Sequence, residues 1–348
     1  MAEERSLTPR DQLQNPYFSH SAPLFAGRDT VFSWLQTKLT TSTENNVPWV
    51  LHGPNRIGKT AILTQCEHRL ADDAVVIYLD GETLNPATDL INVEEWFLIF
   101  GRLLQRTLYR FDIDMPLLHE AEFAENTFRA FHQQVIRPIV EQLGTRKFVL
   151  VIDHIEEILN YPATLTFLNH WQELMYQYSE LHLLLAMARP PQEFANLLPF
   201  SFDDYLVGEL EPATAEQLIR EPMPLYIYDD VVRYIQEITE NHPYYVQQVG
   251  YHLFERWRLR DLNYIGVADV VSVTRSNAYL ATSPPDPDVE MMLSGTPLTL
   301  ERPSSRLRGM LPILLIVFIL AGGAAALFAT PQGQSLIRPV DVLSLIHI

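Results

Sequence analysis

The chain has 348 residues, 47% hydrophobic and 20% charged, which suits two domains with a sizeable core and excludes wholesale disorder. Lys plus Arg number 25 against 43 Asp plus Glu, a net charge of −18 that argues against a large non-specific nucleic-acid surface and leaves room for a local basic patch. Cys66 is the only cysteine, so an intramolecular disulfide framework is impossible and a reducing compartment fits.

In chain order, residues 1–22 are polar and are expected to form a loose arm. Met1–Arg10 (MAEERSLTPR) is acidic with no apolar run after it, so no secretory signal is expected. Residues 23–207 alternate strand-like and helix-like segments, the pattern of an α/β domain with a parallel sheet and helices on both faces. Val47–His52, Ala74–Asp80, Lys147–Asp153 and Leu181–Ala188 are the buried-strand candidates, and Tyr205–Val207 is a candidate for a fifth. Apolar spacings of three and four predict helices over Val93–Tyr109, Ala121–Leu143 and Leu165–Tyr178. Trp96, Phe97 and Phe100 read as core.

Residues 208–280 change to helical patterns, at Thr214–Arg220, Asp229–Thr239 and Tyr244–Trp257, and read as a small helical lid. Residues 281–308 contain SPPDPD (Ser283–Asp288) and read as a Pro-rich linker. Met310–Ala329 has twenty residues and no charge. At ~1.5 Å per residue it covers ~30 Å, one bilayer core, so residues 309–330 are expected to be a transmembrane helix rather than a buried core helix. Arg302, Arg306 and Arg308 precede it and Arg338 follows. The positive-inside rule then gives a single-pass cell-membrane protein with its N-terminal part in the cytoplasm. Residues 331–348 form a short tail. Its end, Leu343–Ile348 (LSLIHI), matches the translation of a transposon end sequence used as a sequencing adapter, so the natural chain is expected to be cut at or before Val342.

The chemistry concentrates in Gly53-Pro54-Asn55-Arg56-Ile57-Gly58-Lys59-Thr60, a full match to the P-loop pattern G-x-x-x-x-G-K-[ST]. A predicted strand precedes it and a predicted helix, Thr60–Leu70, follows. The glycines let backbone N–H groups turn inward around phosphates, and the helix adds its positive N-terminus. Lys59 can reach the β- and γ-phosphates, and Thr60 can ligate Mg²⁺. A P-loop requires a partner acid at the end of a second strand. Phe148-Val-Leu-Val-Ile-Asp153 supplies it, which makes Asp153 the second Mg²⁺ residue. His52, His68, His119 and His132 are scattered without ligand spacing, so no metal beyond Mg²⁺ is expected.

Several blocks together resemble the STAND class of signal-transduction ATPases, relatives of AAA+ proteins. Leu24-Phe-Ala-Gly-Arg-Asp29 resembles the F-x-G-R-[ED] motif upstream of the P-loop. Leu183–Arg189 resembles the sensor strand that ends in arginine. Glu240-Asn-His-Pro-Tyr-Tyr245, with Val246–Gly250, resembles the lid motif G-G-H-P-Y-x-x-Q. The resemblance covers residues 23–275. It implies that Arg28 sits near the adenine, that Arg189 senses the γ-phosphate, and that Pro243 with His242 closes the lid over the nucleotide. Read from the residues alone, Arg189 also fits a solvated strand end, and His242 a capping or packing residue.

Two departures from the family pattern matter. His154 stands where many members carry an acid that polarises the attacking water. Glu156 and Glu157 are the alternative candidates, and a strand-to-loop shift is needed to bring either into place. Hydrolysis is therefore expected to be slow or absent while binding is intact. Glu240-Asn241 also stands where glycines are usual, which puts the lid loop's geometry in question. The expected function is a membrane-anchored ATP/ADP switch that forms homo-oligomers and works with a protein sensor or effector. An origin-recognition-like ATPase and a non-hydrolysing membrane scaffold are the alternatives, and nucleic acid is the least expected partner.

Overall fold

In the computed structural model, which describes residues 13–17, 24–41, 46–84, 92–198, 200–260 and 262–282, five strands form one sheet. They are β1 (Trp49–His52), β2 (Ala74–Asp80), β3 (Lys147–Asp153), β4 (Leu181–Met187) and β5 (Asp203–Leu206). Their spatial order is β2-β3-β4-β1-β5 and every pair is parallel. The parallel α/β expectation holds, and β2 and β3 keep the boundaries expected of them. Met310–Ala329, the tail and most of the linker lie outside the described residues.

The helices of this layer are α1 (Asp29–Thr41), α2 (Lys59–Arg69), α3 (Gly81–Leu84), α4 (Val93–Leu108), α5 (Glu120–Phe131), α6 (Arg137–Gln142) and α7 (Pro162–Gln177). Successive strand residues point to opposite faces, so each face has its own core. Val75, Ile77, Phe148, Leu150 and Ile152 pack against Trp96, Phe97, Phe100 and Phe167 of α4 and α7. Val76, Val149, Val151 and Leu184 pack against Val31, Phe32 and Leu35 of α1 and Ile62 and Cys66 of α2. The start of α4 is set by a capping box, in which Asn92 Oδ1 accepts from the Glu95 N–H at 2.8 Å and Glu95 Oε2 accepts from the Asn92 N–H at 3.4 Å.

The single helix expected over Ala121–Leu143 is instead interrupted: α5 is kinked at the non-helical Asn126 (φ −157°, ψ 92°), a π turn follows at His132–Ile136, and α6 completes it. Pro138 has no N–H to offer the carbonyl four residues back, and its ring crowds that position. The widened turn relieves this and rotates Gln134 inward, where it accepts from His119 N at 2.7 Å and donates to Glu122 at 2.8 Å.

The helical part that follows the sheet consists of α8 (Pro212–Arg220), α9 (Asp229–Thr239), α10 (Pro243–Leu259), α11 (Val267–Thr274) and α12 (Asn277–Thr282). Its core contains Leu218, Ile235, Val249, Leu253 and Trp257, and also Tyr17. The loose-arm expectation therefore fails at residues 13–17. The Tyr17 hydroxyl donates to Ile219 O at 2.9 Å, and Asn15 Nδ2 donates to Tyr251 O at 3.0 Å and to Glu255 Oε1 at 2.9 Å. Tyr17 lies so close to Gly250 that a Cβ there would come within 2.2 Å of its ring. A short polar stretch with one aromatic residue carries no periodicity, so this docking has no signal in the local sequence.

Candidate functional site

Parallel strands place all their C-terminal ends on one edge, and the site is built there. The P-loop leaves β1 and enters α2. Gly53 has φ 154° and lies against β5's continuation, where a Cβ would come within 2.4 Å of Val207 O. Gly58, at φ 98°, is the N-cap of α2. Lys59 is buried, and its Nζ donates to Gly53 O at 2.7 Å and Pro54 O at 2.9 Å, so its charge is held against the loop's own carbonyls.

Thr60 and Asp153 meet as expected: Thr60 Oγ donates to Asp153 Oδ2 at 2.7 Å. Asp153 is fully buried and accepts two further hydrogen bonds, from the Tyr78 hydroxyl at 3.1 Å and the His154 N–H at 3.0 Å. Burial, then the charge of Asp153, pushes the Tyr78 phenol above its ordinary range, which keeps it a donor. A buried carboxylate beside a hydroxyl, at the mouth of a loop of N–H groups, fits Mg²⁺ with a nucleotide phosphate.

His154 adopts a left-handed backbone, φ 47°, and its Nδ1 lies 3.2 Å from Asp80 Oδ1. Burial alone would lower its pKa. Asp153, the hydrogen bond to Asp80 and the nearby Glu82 together raise it above the usual histidine value. The sharp turn at His154 and the 3₁₀ turn Ile155–Glu157 fold the chain back onto the sheet edge. Glu156 is thereby brought to the end of β4, where Oε1 accepts from the Ala188 N–H at 2.9 Å. Its Oε2 is buried without a hydrogen-bond partner. Burial raises the Glu156 pKa, against the pull of backbone N–H groups and of the Lys59 charge. Glu157 is the next residue on the same turn.

Arg28 also has a left-handed backbone, φ 67°. Its guanidinium donates to Ile57 O of the P-loop at 2.8 Å and to Gly208 O, at the start of the helical part, at 2.7 Å. Beside it lies a cavity of about 150 Å³ bordered by Val31, Ile62, Tyr205, Val207 and Thr214. Arg189 stands just past the end of β4, with Nη1 3.3 Å from Glu193 Oε2 and its guanidinium 5.0 Å from the Phe194 ring centre. Both roles expected for it thus start from a side chain turned onto its own loop.

Before α10, Glu240 and Asn241 have φ 51° and 60°, so the turn keeps glycine-like geometry without glycines. Pro243 is the first residue of α10 and is buried, as is His242. Arg56 of the P-loop, itself at φ 64°, lies over the ring of Tyr244 with 4.5 Å to the centroid. Tyr78, Asp80 and Tyr244 were not among the residues expected from sequence. Asp80 had a usable signal, because it ends an apolar strand in the way Asp153 does, and the two are paired in register.

No family model matches the sequence, and no curated protein matches it. Solved structures do. The Walker-type ATPase of Pyrococcus abyssi aligns over 78% of this chain and 77% of its own, with TM-score 0.53 and 14% identity. Drosophila ORC bound to DNA aligns over 81% of this chain and 70% of its own, with TM-score 0.51 and 10% identity. At such identities the likeness is one of fold. The chain shares the α/β fold of these structures, with its phosphate loop and the paired Thr60 and Asp153 at the C-terminal edge of its parallel sheet.

Proposed function

We propose that this chain is a nucleotide-dependent switch of the STAND type, binding ATP or ADP with Mg²⁺ and hydrolysing ATP slowly or under regulation. The observation that carries the reading is the 2.7 Å contact of Thr60 Oγ with Asp153 Oδ2, beside buried Lys59. Mg²⁺, when bound, neutralises charge between phosphates. Thr60 and Asp153 would hold it, and Lys59 would exchange the Gly53 and Pro54 carbonyls for phosphate oxygens. Arg28 ties the P-loop to the start of the lid, so occupancy of the loop can bias the lid between two positions. Slow turnover follows from His154 in the position after Asp153, its ring tied to Asp80. We further propose that Met310–Ala329 spans the membrane with the ATPase part cytoplasmic, and that a homo-oligomer and a sensor or effector protein complete the system.

Titration calorimetry of the full chain with ATP and ADP tests the nucleotide reading. Lys59→Ala removes charge-assisted contacts of about 1.5–3 kcal/mol, so affinity should fall roughly tenfold or more. Unchanged affinity rejects the assignment. Measuring turnover alongside binding separates a switch from a non-hydrolysing scaffold. Carbonate extraction tests the span, and release of the full chain into the soluble fraction rejects it.

A second reading, an origin-recognition-like ATPase, draws on the fold shared with Drosophila ORC bound to DNA. The net charge of −18 weighs against it. Mobility shift of duplex DNA at low salt, with and without ATP, decides between them.

A further inference from the structure

We propose that Arg56 and Tyr244 form the latch that reports P-loop occupancy to the lid, with Tyr244 as a positioning residue. The proposal rests on the P-loop reading above and adds to it the contact through which the lid reads the loop.

Three observations carry it. Arg56 is the exposed residue at the crest of the phosphate loop, and its left-handed backbone, φ 64°, is a conformation that side chains other than glycine rarely adopt. Its guanidinium lies 4.5 Å from the centre of the Tyr244 ring, a cation–π arrangement joining the loop to the first turn of α10. The Tyr244 ring is itself braced, because Tyr245 packs edge-on to it at 5.5 Å and His242 packs on Tyr245 at 4.9 Å.

The lid side is equally constrained. The left-handed pair Glu240 and Asn241 turns the chain into α10, and the Leu210 N–H donates to Asn241 O at 3.1 Å, tying that turn to the segment after β5. α10 therefore presents its first turn on the side where Arg56 reaches it; the positive end of the helix dipole disfavours a guanidinium, so the Tyr244 ring supplies the attraction. A guanidinium stacked on a ring gains less than one paired with a phosphate. An additional phosphate in the loop offers Arg56 that better partner. The latch then releases and α10 is freed to move. A diphosphate, with less anionic charge to offer, leaves the stack in place.

The test is a double-mutant cycle in the full chain, using Arg56→Gln and Tyr244→Leu, read by hydrogen exchange of the α10 amides Val246–Gly250. Each single variant should raise exchange about two- to fivefold, and the double variant should add little beyond either. Tyr244→Phe, which keeps the π face, should restore protection. Fully additive effects, or failure of Tyr244→Phe to restore protection, overturn the latch. Fluorescent mant-ATP with Mg²⁺ should abolish the coupling and mant-ADP should preserve it. Equal coupling with both overturns the claim that the latch reads the nucleotide. Absence of mant-nucleotide binding by the unmodified chain counts against the P-loop reading itself, and the nucleotide-free cycle is independent of that result.

Discussion

Thr60 Oγ and Asp153 Oδ2 lie 2.7 Å apart although 93 positions separate them in the chain. The sheet order makes the contact: β1, which launches the P-loop, and β3, which ends in Asp153, both flank β4 and run parallel. The hydroxyl and carboxylate thus converge on the point where a phosphate-bound Mg²⁺ would sit.

Removing either partner should uncouple nucleotide binding from Mg²⁺. Thr60→Ala and Asp153→Asn should each weaken ATP binding in Mg²⁺ by roughly ten- to a hundredfold, from the loss of interactions of about 1.5–3 kcal/mol. Their affinities measured in excess chelator should stay close to the unmodified chain's. An equal loss with and without Mg²⁺ would mean the pair is structural.

Glu156 should impose a pH dependence on stability. Its folded pKa is raised, chiefly by burial, so the fold favours the protonated acid. The stability it contributes is full below the unfolded value and is lost as pH rises through the folded one. Glu156→Gln cannot ionise. Its melting temperature relative to the unmodified chain should therefore climb across that interval and then level off. A difference that stays constant with pH would refute the burial argument.

His182 should act in the opposite sense. It is stacked on Trp49 at 4.8 Å, its Nδ1 lies 2.9 Å from Asn46 Oδ1, and burial lowers its pKa to about 3. The unfolded chain takes up a proton near pH 6.5 that the folded chain refuses. Stability present above pH 6.5 is therefore lost as pH falls toward 3. The loss at pH 5 is about 2 kcal/mol by linkage. Denaturant unfolding of His182→Gln should lack this decline. An identical acid slope in both proteins would show that other groups set it.

Glu240 carries a left-handed backbone that costs a non-glycine residue roughly 1–2 kcal/mol. Glu240→Gly relieves that strain and adds chain entropy to the unfolded state, for a net gain of up to about 1 kcal/mol. Chemical denaturation should show a higher midpoint. A lower midpoint would mean that the Glu240 side chain contributes more than its backbone costs.

Much of the fold is legible along the chain. β2 and β3 declare themselves as apolar runs because a parallel strand covered on both faces must be apolar throughout. The P-loop is legible because its chemistry needs consecutive residues, and Asp153 because a strand fixes where it ends. α1 carries the same kind of signal, with Val31, Phe32, Leu35 and Leu39 spaced for one buried face.

What the tertiary structure decided depends on neighbours distant in sequence. Tyr78 reaches Asp153 only because β2 pairs with β3, and Asp80 meets His154 through the same register. Tyr17 joins the core of the helical part, closing on Ile219 O over a separation of 202. Arg56 finds Tyr244 because two left-handed residues aim α10 at the loop. Local sequence by itself determined β2, β3, the phosphate loop and the net charge, because periodicity, glycine spacing and composition are properties of neighbouring residues. Which side chains complete the site was settled by strand order and turn geometry, where packing of the whole sheet selects one pairing among many that local preference allows.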